Sequence, residues 1–305
     1  MAKATFLIAA ASASAGAAIT AFFMGRRTSA PTPPPAAAPT PSPMVSPTEA
    51  GTRISHAGLV PKSIVDPSGW FAYGAPGPVN DLATRTSFFS VYDRRTRNPA
   101  WVAEHITAES LTGSKGDRKN SVFVEDTAVP EKFRAKLKDY FRSGYDRGHM
   151  APAADAKFDQ KAMDETFYLT NMCPQVGEGF NRDYWAHFED FCRRLTSRYR
   201  SIRVITGPLY LPKLDVDGKY RVTYEVIGSP PNVAVPTHFY KIIVGESTAT
   251  PSPTASVAIG AFVLPNARID NRTPLAEFAI GGGHFAGKLI VALLFENSHH
   301  ALLSL

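Results

Sequence analysis

The chain has 305 residues and a mass of 33.0 kDa, with 44% hydrophobic residues, which is enough for one large core or two modest ones and excludes disorder throughout. A formal net charge of +6 and a pI near 9.3 favour a polyanionic partner, because each phosphate met by Lys or Arg releases counterions. Only Cys173 and Cys192 are present, which excludes a scaffold stapled by several disulfides; both stand among aromatic and aliphatic residues and read first as buried thiols, second as one bridge.

Residues 5–25 carry no charge, with Lys3 before them and Arg26 and Arg27 behind. The run is long enough to span a bilayer, but its Ala, Ser and Gly content makes it weakly apolar. Residues 1–28 therefore read as a targeting or anchoring segment. A cleaved secretory signal, a mitochondrial presequence and an uncleaved membrane anchor all fit, and the lack of acidic residues with arginines close behind favours mitochondria. Residues 29–57 are rich in Pro, Ala and Thr and read as an extended, disordered tether. One mixed domain is expected over 58–280, followed by a divergent tail over 281–305.

Within the domain, 88–92 and 101–106 read as strands, joined by a turn through the polar run 93–98 and Pro99. The basic run Lys115-Gly116-Asp117-Arg118-Lys119-Asn120 is either a solvated loop or a loop that offers an arginine to a phosphate. Residues 131–142 place Phe133, Leu137 and Tyr140 at helical spacing behind Pro130. Residues 166–170 return to strand. After Asn181, the residues Trp185, Phe188, Cys192, Leu195 and Tyr199 recur at steps of three and four, the buried stripe of a long helix. Further strands are expected at 202–206, 221–226, 239–244 and 257–263. The fold class is α+β, and no internal repeat is visible.

Chemistry concentrates in Asp146-Arg147-Gly148-His149-Met150 and in Gly179-Phe180-Asn181-Arg182-Asp183-Tyr184-Trp185. His149 can take a proton from water near neutral pH. If the first segment is extended, Arg147 and His149 share a face and Asp146 points the other way; Gly148 between them would let a substrate backbone approach. The plainer alternative is an Asp146–Arg147 surface ion pair beside a packed histidine. Asn181 stands where an N-cap is common, yet its amide oxygen also suits Mg²⁺, a hard cation that keeps most of its water. Glu189 lies eight residues later, about two turns along the same helix face, and could hydrogen-bond water around such a cation or simply be a solvated carboxylate.

Other arrangements are poorer. Gly281-Gly282-Gly283-His284 lacks the Lys and Ser/Thr of a nucleotide-binding loop, and Asn271-Arg272-Thr273 is a glycosylation sequon that matters only on the secretory route. Cys-x-x-Cys, His-Glu-x-x-His and Gly-x-Ser-x-Gly do not occur.

Together the residues resemble the DNA/RNA non-specific endonucleases of the ββα-metal fold, within them the mitochondrial endonuclease G group. The resemblance rests on residues 146–149, on Phe167-Tyr168-Leu169-Thr170-Asn171-Met172-Cys173-Pro174-Gln175, and on Asn181 with Trp185 and Glu189. Upstream it includes Tyr73-Gly74-Ala75-Pro76-Gly77-Pro78 and the block from Tyr92 to Trp101. It implies a central, mainly antiparallel sheet flanked by helices. It further implies His149 as general base, Asn181 as ligand of Mg²⁺ or Mn²⁺, Glu189 as a water-organising carboxylate, and active-site support from Arg147 and Asn171. Arg118, Arg147 and Gln175 would meet the nucleic acid, and products would carry 5′-phosphate. A homodimer in the mitochondrial intermembrane space, acting on DNA and RNA through their backbones, is also implied, with nucleic-acid degradation in cell death or mitochondrial turnover. A secreted nuclease of the same fold and a catalytically silent nucleic-acid-binding protein are the alternatives. After Phe278 the chain departs from the family pattern.

Overall fold

A computed structural model describes residues 75–77, 79–248 and 256–280; the expected anchor over 1–28, the tether over 29–57 and the tail over 281–305 lie outside the described residues. In chain order the strands are β1 (Leu82–Thr84), β2 (Phe88–Asp93), β3 (Asn98–Ile106), β4 (Tyr145–His149), β5 (Met172–Val176), β6 (Ser201–Leu209), β7 (Lys213–Leu214), β8 (Tyr220–Arg221), β9 (Val226–Ile227), β10 (Val233–Ala234), β11 (His238–Glu246) and β12 (Val257–Pro265). The helices are α1 (Ala108–Leu111), α2 (Leu137–Tyr140), α3 (Gln160–Glu165) and α4 (Tyr184–Arg194).

A six-stranded sheet in the order β1-β2-β3-β6-β11-β12 is antiparallel at every pairing, as an α+β chain of this pattern requires. The alternation along β11 explains its two faces. Phe239 and Ile243 join the main core, while Tyr240 and Ile242 join a smaller one on the opposite side. The main core lies against α4, whose stripe places Trp185, Phe188 and Cys192 in contact with it. Both cysteines are free and buried there, and burial pushes the Cys192 thiol up to about 12, so neither is poised as a nucleophile.

Outside the large sheet, β4 and β5 form an antiparallel hairpin that pairs His149 with Met172 and Gly148 with Cys173. With α4 following β5, this is the ββα unit. Among the described residues no helix is long and apolar enough to cross a membrane.

The structure corrects several sequence expectations. Residues 131–142 form no continuous helix: a 3-10 turn at Glu131–Phe133 is separated from α2 by extended Arg134 and Lys136. The Tyr92 hydroxyl donates to the Phe133 carbonyl at 3.0 Å and accepts from Ala135 N–H at 3.1 Å, so a tertiary contact takes the backbone groups a helix would use. Residues 166–170 are not a strand either. They cap α3 and enter a 3-10 turn at Leu169–Asn171, curled by the Asn171 amide donating to the Thr166 carbonyl at 2.8 Å. Of 221–226 only the ends pair, in the two-stranded ribbons β7–β8 and β9–β10.

Candidate active site

The β4–β5 hairpin displays the histidine and its arginine. On β4, Arg147 and His149 are two residues apart and both meet Phe123: the guanidinium sits 4.2 Å from the ring centroid and the imidazole 5.8 Å. On its other side His149 packs edge-on against Phe167 at 4.8 Å, and Arg118 lies over that same Phe167 ring at 5.4 Å. The imidazole is thus held between two aromatic rings, each carrying an arginine.

Only 8% of His149 is exposed, and its Nε2 is buried with no hydrogen-bond partner among the described residues. Burial first, and the Arg118 charge second, hold its pKa down at about 3. A neutral ring is the result at any physiological pH.

The ordered turn Arg118–Asn120 gives the basic run a definite shape. Asp117 caps it through Lys119 N–H at 3.0 Å, and Gln160 on α3 accepts from Asp117 N–H at 2.7 Å. Arg118 is therefore presented rather than trailing in solvent. It lines, together with Phe123, Arg147, Asp146 and Asn181, one open cleft of about 780 Å³. His149 is not itself a wall of this cleft; it packs against the Phe123 that is, two residues from Arg147 on β4.

Asn181 is the last residue of the wide turn Gly177–Asn181, in which Gly179 takes a φ of +79° that a side chain would resist. Its neighbour Phe180 is fully buried against Trp185 and Phe239 and pins the turn. Asn181 is not the cap of α4; that position belongs to Asp183. The Asn181 amide N–H donates to Asp146 Oδ2 at 2.9 Å, and Arg182 grips the same carboxylate through Nε at 2.7 Å and a second nitrogen at 2.5 Å. The Arg182 guanidinium beside Asp146 holds its carboxyl below the usual range. Asp146 is thus spent on Asn181 and Arg182, not on Arg147.

With its nitrogen committed, the Asn181 carbonyl oxygen meets no donor among the described residues, and it belongs to a residue of the cleft wall. A hard cation that keeps most of its water fits such a lone neutral oxygen. Among the described residues no group of three or more His, Cys, Asp or Glu could hold a metal ion.

Glu189 on α4 is partly buried, and burial raises its carboxyl to about 7. The positive charges of Lys241, Arg193 and Arg118 act against that rise, so one guanidinium, that of Arg118, influences both Glu189 and His149. Beneath lies a buried polar cluster that the sequence did not reveal. Arg193 donates to Asp155 at 3.0 Å, and the fully buried Lys241 donates to Thr206 at 2.8 Å while lying 4.7 Å from the Trp185 ring. Burial raises Glu104 and Asp155 as well.

Two expected site residues face elsewhere. Asn171, expected as a catalytic group, is fully buried and spends its amide on the Ala151 and Thr166 backbones at 2.8–2.9 Å; it fixes the chain just after His149. Gln175, expected to meet nucleic acid, is fully buried too and fills the space above Gly148, where a Cβ would lie 1.9 Å from its Oε1. That glycine makes room for Gln175, not for substrate. Phe123, Phe167, Asp146 and Arg182 were missed as site builders; only the strand alternation, which sets Asp146 opposite Arg147, gave any signal.

The model of the DNA/RNA non-specific endonuclease family matches residues 66–282. The chain belongs to this family. A mitochondrial nuclease of Saccharomyces cerevisiae is 64% identical over 217 residues, covering 71% of this chain and 66% of that protein. Human mitochondrial endonuclease G is 43% identical over 208 residues, covering 68% of this chain and 67% of that protein. Among solved structures, a chain in the crystal structure of the EndoG/EndoGI complex superposes with a TM-score of 0.68 at 45% identity, covering 76% of this chain and 91% of that one. The hairpin and α4 are accordingly the ββα-metal unit of a non-specific endonuclease.

Proposed function

We propose that this endonuclease hydrolyses phosphodiester bonds of DNA and RNA in mitochondria, with His149 as general base and Asn181 as the ligand of a divalent cation, Mg²⁺ or Mn²⁺. The observation that carries the reading is the placing of Arg118, Arg147 and Asn181 around one cleft, with a neutral imidazole beside Arg147.

His149 takes a proton from a water aligned with the phosphorus, and the water attacks in line with the departing 3′ oxygen. Arg147 and Arg118 hold the phosphate and stabilise the charge that spreads over its non-bridging oxygens. A cation held at Asn181 supplies, when bound, neutralisation of the scissile and leaving oxygens. Glu189 hydrogen-bonds and orients water within the site, and Asn171 acts only through the backbone after His149. Contacts of this kind read the sugar–phosphate chain and not base edges, so little sequence preference follows. The finer assignments, residence in the intermembrane space or at the inner membrane and assembly as a homodimer, rest on the resemblance of the endonuclease domain, 68% of the chain, to endonuclease G.

The purified protein should convert plasmid DNA and single-stranded RNA to fragments with 5′-phosphate ends in Mg²⁺ or Mn²⁺ and lose that activity in EDTA. Undiminished cleavage in EDTA, or 3′-phosphate ends, would remove the proposal.

A further inference from the structure

The proposed reaction uses the cleft wall formed by Arg118, Arg147 and Asn181 and leaves its opposite rim unexplained. That rim is the turn joining α2 to β4, and it displays Phe141 with 71% of its surface exposed. An isolated exposed phenylalanine needs no account, but this one is held out by an ordered turn. Arg142 adopts a φ of +54° and Gly144 of +86°. The Ser143 hydroxyl donates to the Tyr140 carbonyl at 3.0 Å and accepts from Tyr145 N–H at 3.2 Å. Tyr140, one residue before, is buried. A left-handed non-glycine residue is strained, and the turn that holds this one leaves the Phe141 ring exposed at the cleft.

Its surroundings say what the ring meets. The Arg142 guanidinium lies 5.0 Å from the Phe141 centroid, and Lys138, Arg142, Arg147 and Arg182 line the same cleft. The acid among them, Asp146, is already matched by Arg182. A cationic cleft with one projecting aromatic face is complementary to a polyanion that carries flat rings. Within a duplex each base is covered by its neighbours, and exposing one costs unstacking; in a single strand the bases are open and stack on aromatic side chains whatever their identity.

We propose that Phe141 is a base-stacking residue that makes this nuclease grip unpaired segments of nucleic acid more tightly than intact duplex, with Arg142 meeting the adjoining phosphate. The inference deepens the nuclease reading, and a binding measurement tests it separately from cleavage.

The full chain, its Phe141→Ala variant and its Phe141→Tyr variant are titrated in EDTA with a fluorescent dT oligonucleotide and with a fully paired duplex of equal length. Phe141→Ala should weaken single-strand binding about tenfold and shift duplex binding far less, while Phe141→Tyr should keep the wild-type ratio of the two affinities. Because the ring is mostly exposed, truncation opens no core cavity, and an unchanged melting temperature checks that the fold persists. An unaltered ratio in Phe141→Ala, an equal loss on both substrates, or no binding of the dT strand by the wild type would each overturn the proposal. If binding behaves as expected but Mg²⁺ elicits no cleavage, the stacking role stands and the catalytic reading falls.

Discussion

Asp146 carries no proton in the proposed reaction, yet it decides what Asn181 can do. By taking the amide hydrogen it fixes which end of the carboxamide is free, and the bidentate grip of Arg182 fixes Asp146 in turn. Groups that orient a metal ligand in this way typically contribute ten- to a hundredfold in affinity. The Asp146→Ala variant should therefore need about ten- to a hundredfold more Mg²⁺ for half-maximal cleavage and recover much of its rate at saturating Mg²⁺; an unshifted Mg²⁺ titration would contradict the positioning role.

Glu189 shows the opposite balance. Its carboxyl is raised from 4.5 to about 7, so the ionised form is disfavoured in the folded state. The cost to stability is absent below the unfolded pKa of 4.5, grows between 4.5 and 7, and is complete above 7. Glu189→Gln should accordingly stabilise the metal-free protein by roughly 1–3 kcal/mol at pH 8, a range that allows for its partial exposure, and by much less at pH 4.5, while lowering nuclease activity. Urea unfolding at the two pH values in EDTA measures this, and a variant less stable than wild type at pH 8 would refute it.

At the scale of elements, the β4–β5 hairpin is a tighter device than its letters suggest. Gly148 faces Cys173 across the ladder, and the buried Gln175 side chain lies over its Cα. Gly148→Ala would force a methyl group into that side chain, which has no solvent to retreat into, at a cost of about 1–3 kcal/mol. Pairing it with Gln175→Ser should restore much of the loss, and a double-mutant cycle by chemical denaturation reads the coupling; strictly additive effects would show that the two residues do not share the space.

The same scale shows where pattern was a guide and where it was not. Strands β2, β3, β6 and β11 were legible as short apolar, aromatic and β-branched runs buried on both faces, and helix α4 by a buried stripe of period 3.6. The pattern at 131–142 misled because Tyr92, about forty residues away, takes the backbone groups of Phe133 and Ala135. At 166–170, β-branched and aromatic residues suggested a strand, but Asn171 folds the chain back on Thr166. Both errors come from side chain to backbone hydrogen bonds, which leave no periodic trace.

For the molecule as a whole, the sequence drew attention to His149, Arg147, Asn181 and Glu189 because they fall in dense motifs. It concealed their supports. Phe123 and Phe167 flank the imidazole from separate parts of the chain, and Lys241, between Phe239 and Ile243 on the face of β11 that packs against α4, reaches the Trp185 ring beneath that helix. Aromatic and lysine residues at strand spacing look like any others, so only the folded arrangement shows their role. Asn171 and Gln175 illustrate the converse, since a motif can keep residues that build the site without facing it. The net charge of +6 likewise pointed to a polyanion, but the meeting of Arg118, Arg142, Arg147 and Arg182 at one cleft is what gives that charge a place.

The central claim is that a neutral imidazole at position 149 removes the proton from the attacking water. The most direct measurement is the initial rate of plasmid nicking and single-stranded RNA cleavage by His149→Ala in Mg²⁺, at protein levels where substrate binding is matched to wild type. A general base contributes about a hundredfold to ten-thousandfold, and the account predicts a loss of that size on both substrates with nucleic-acid affinity in EDTA retained; turnover near the wild-type rate would contradict it.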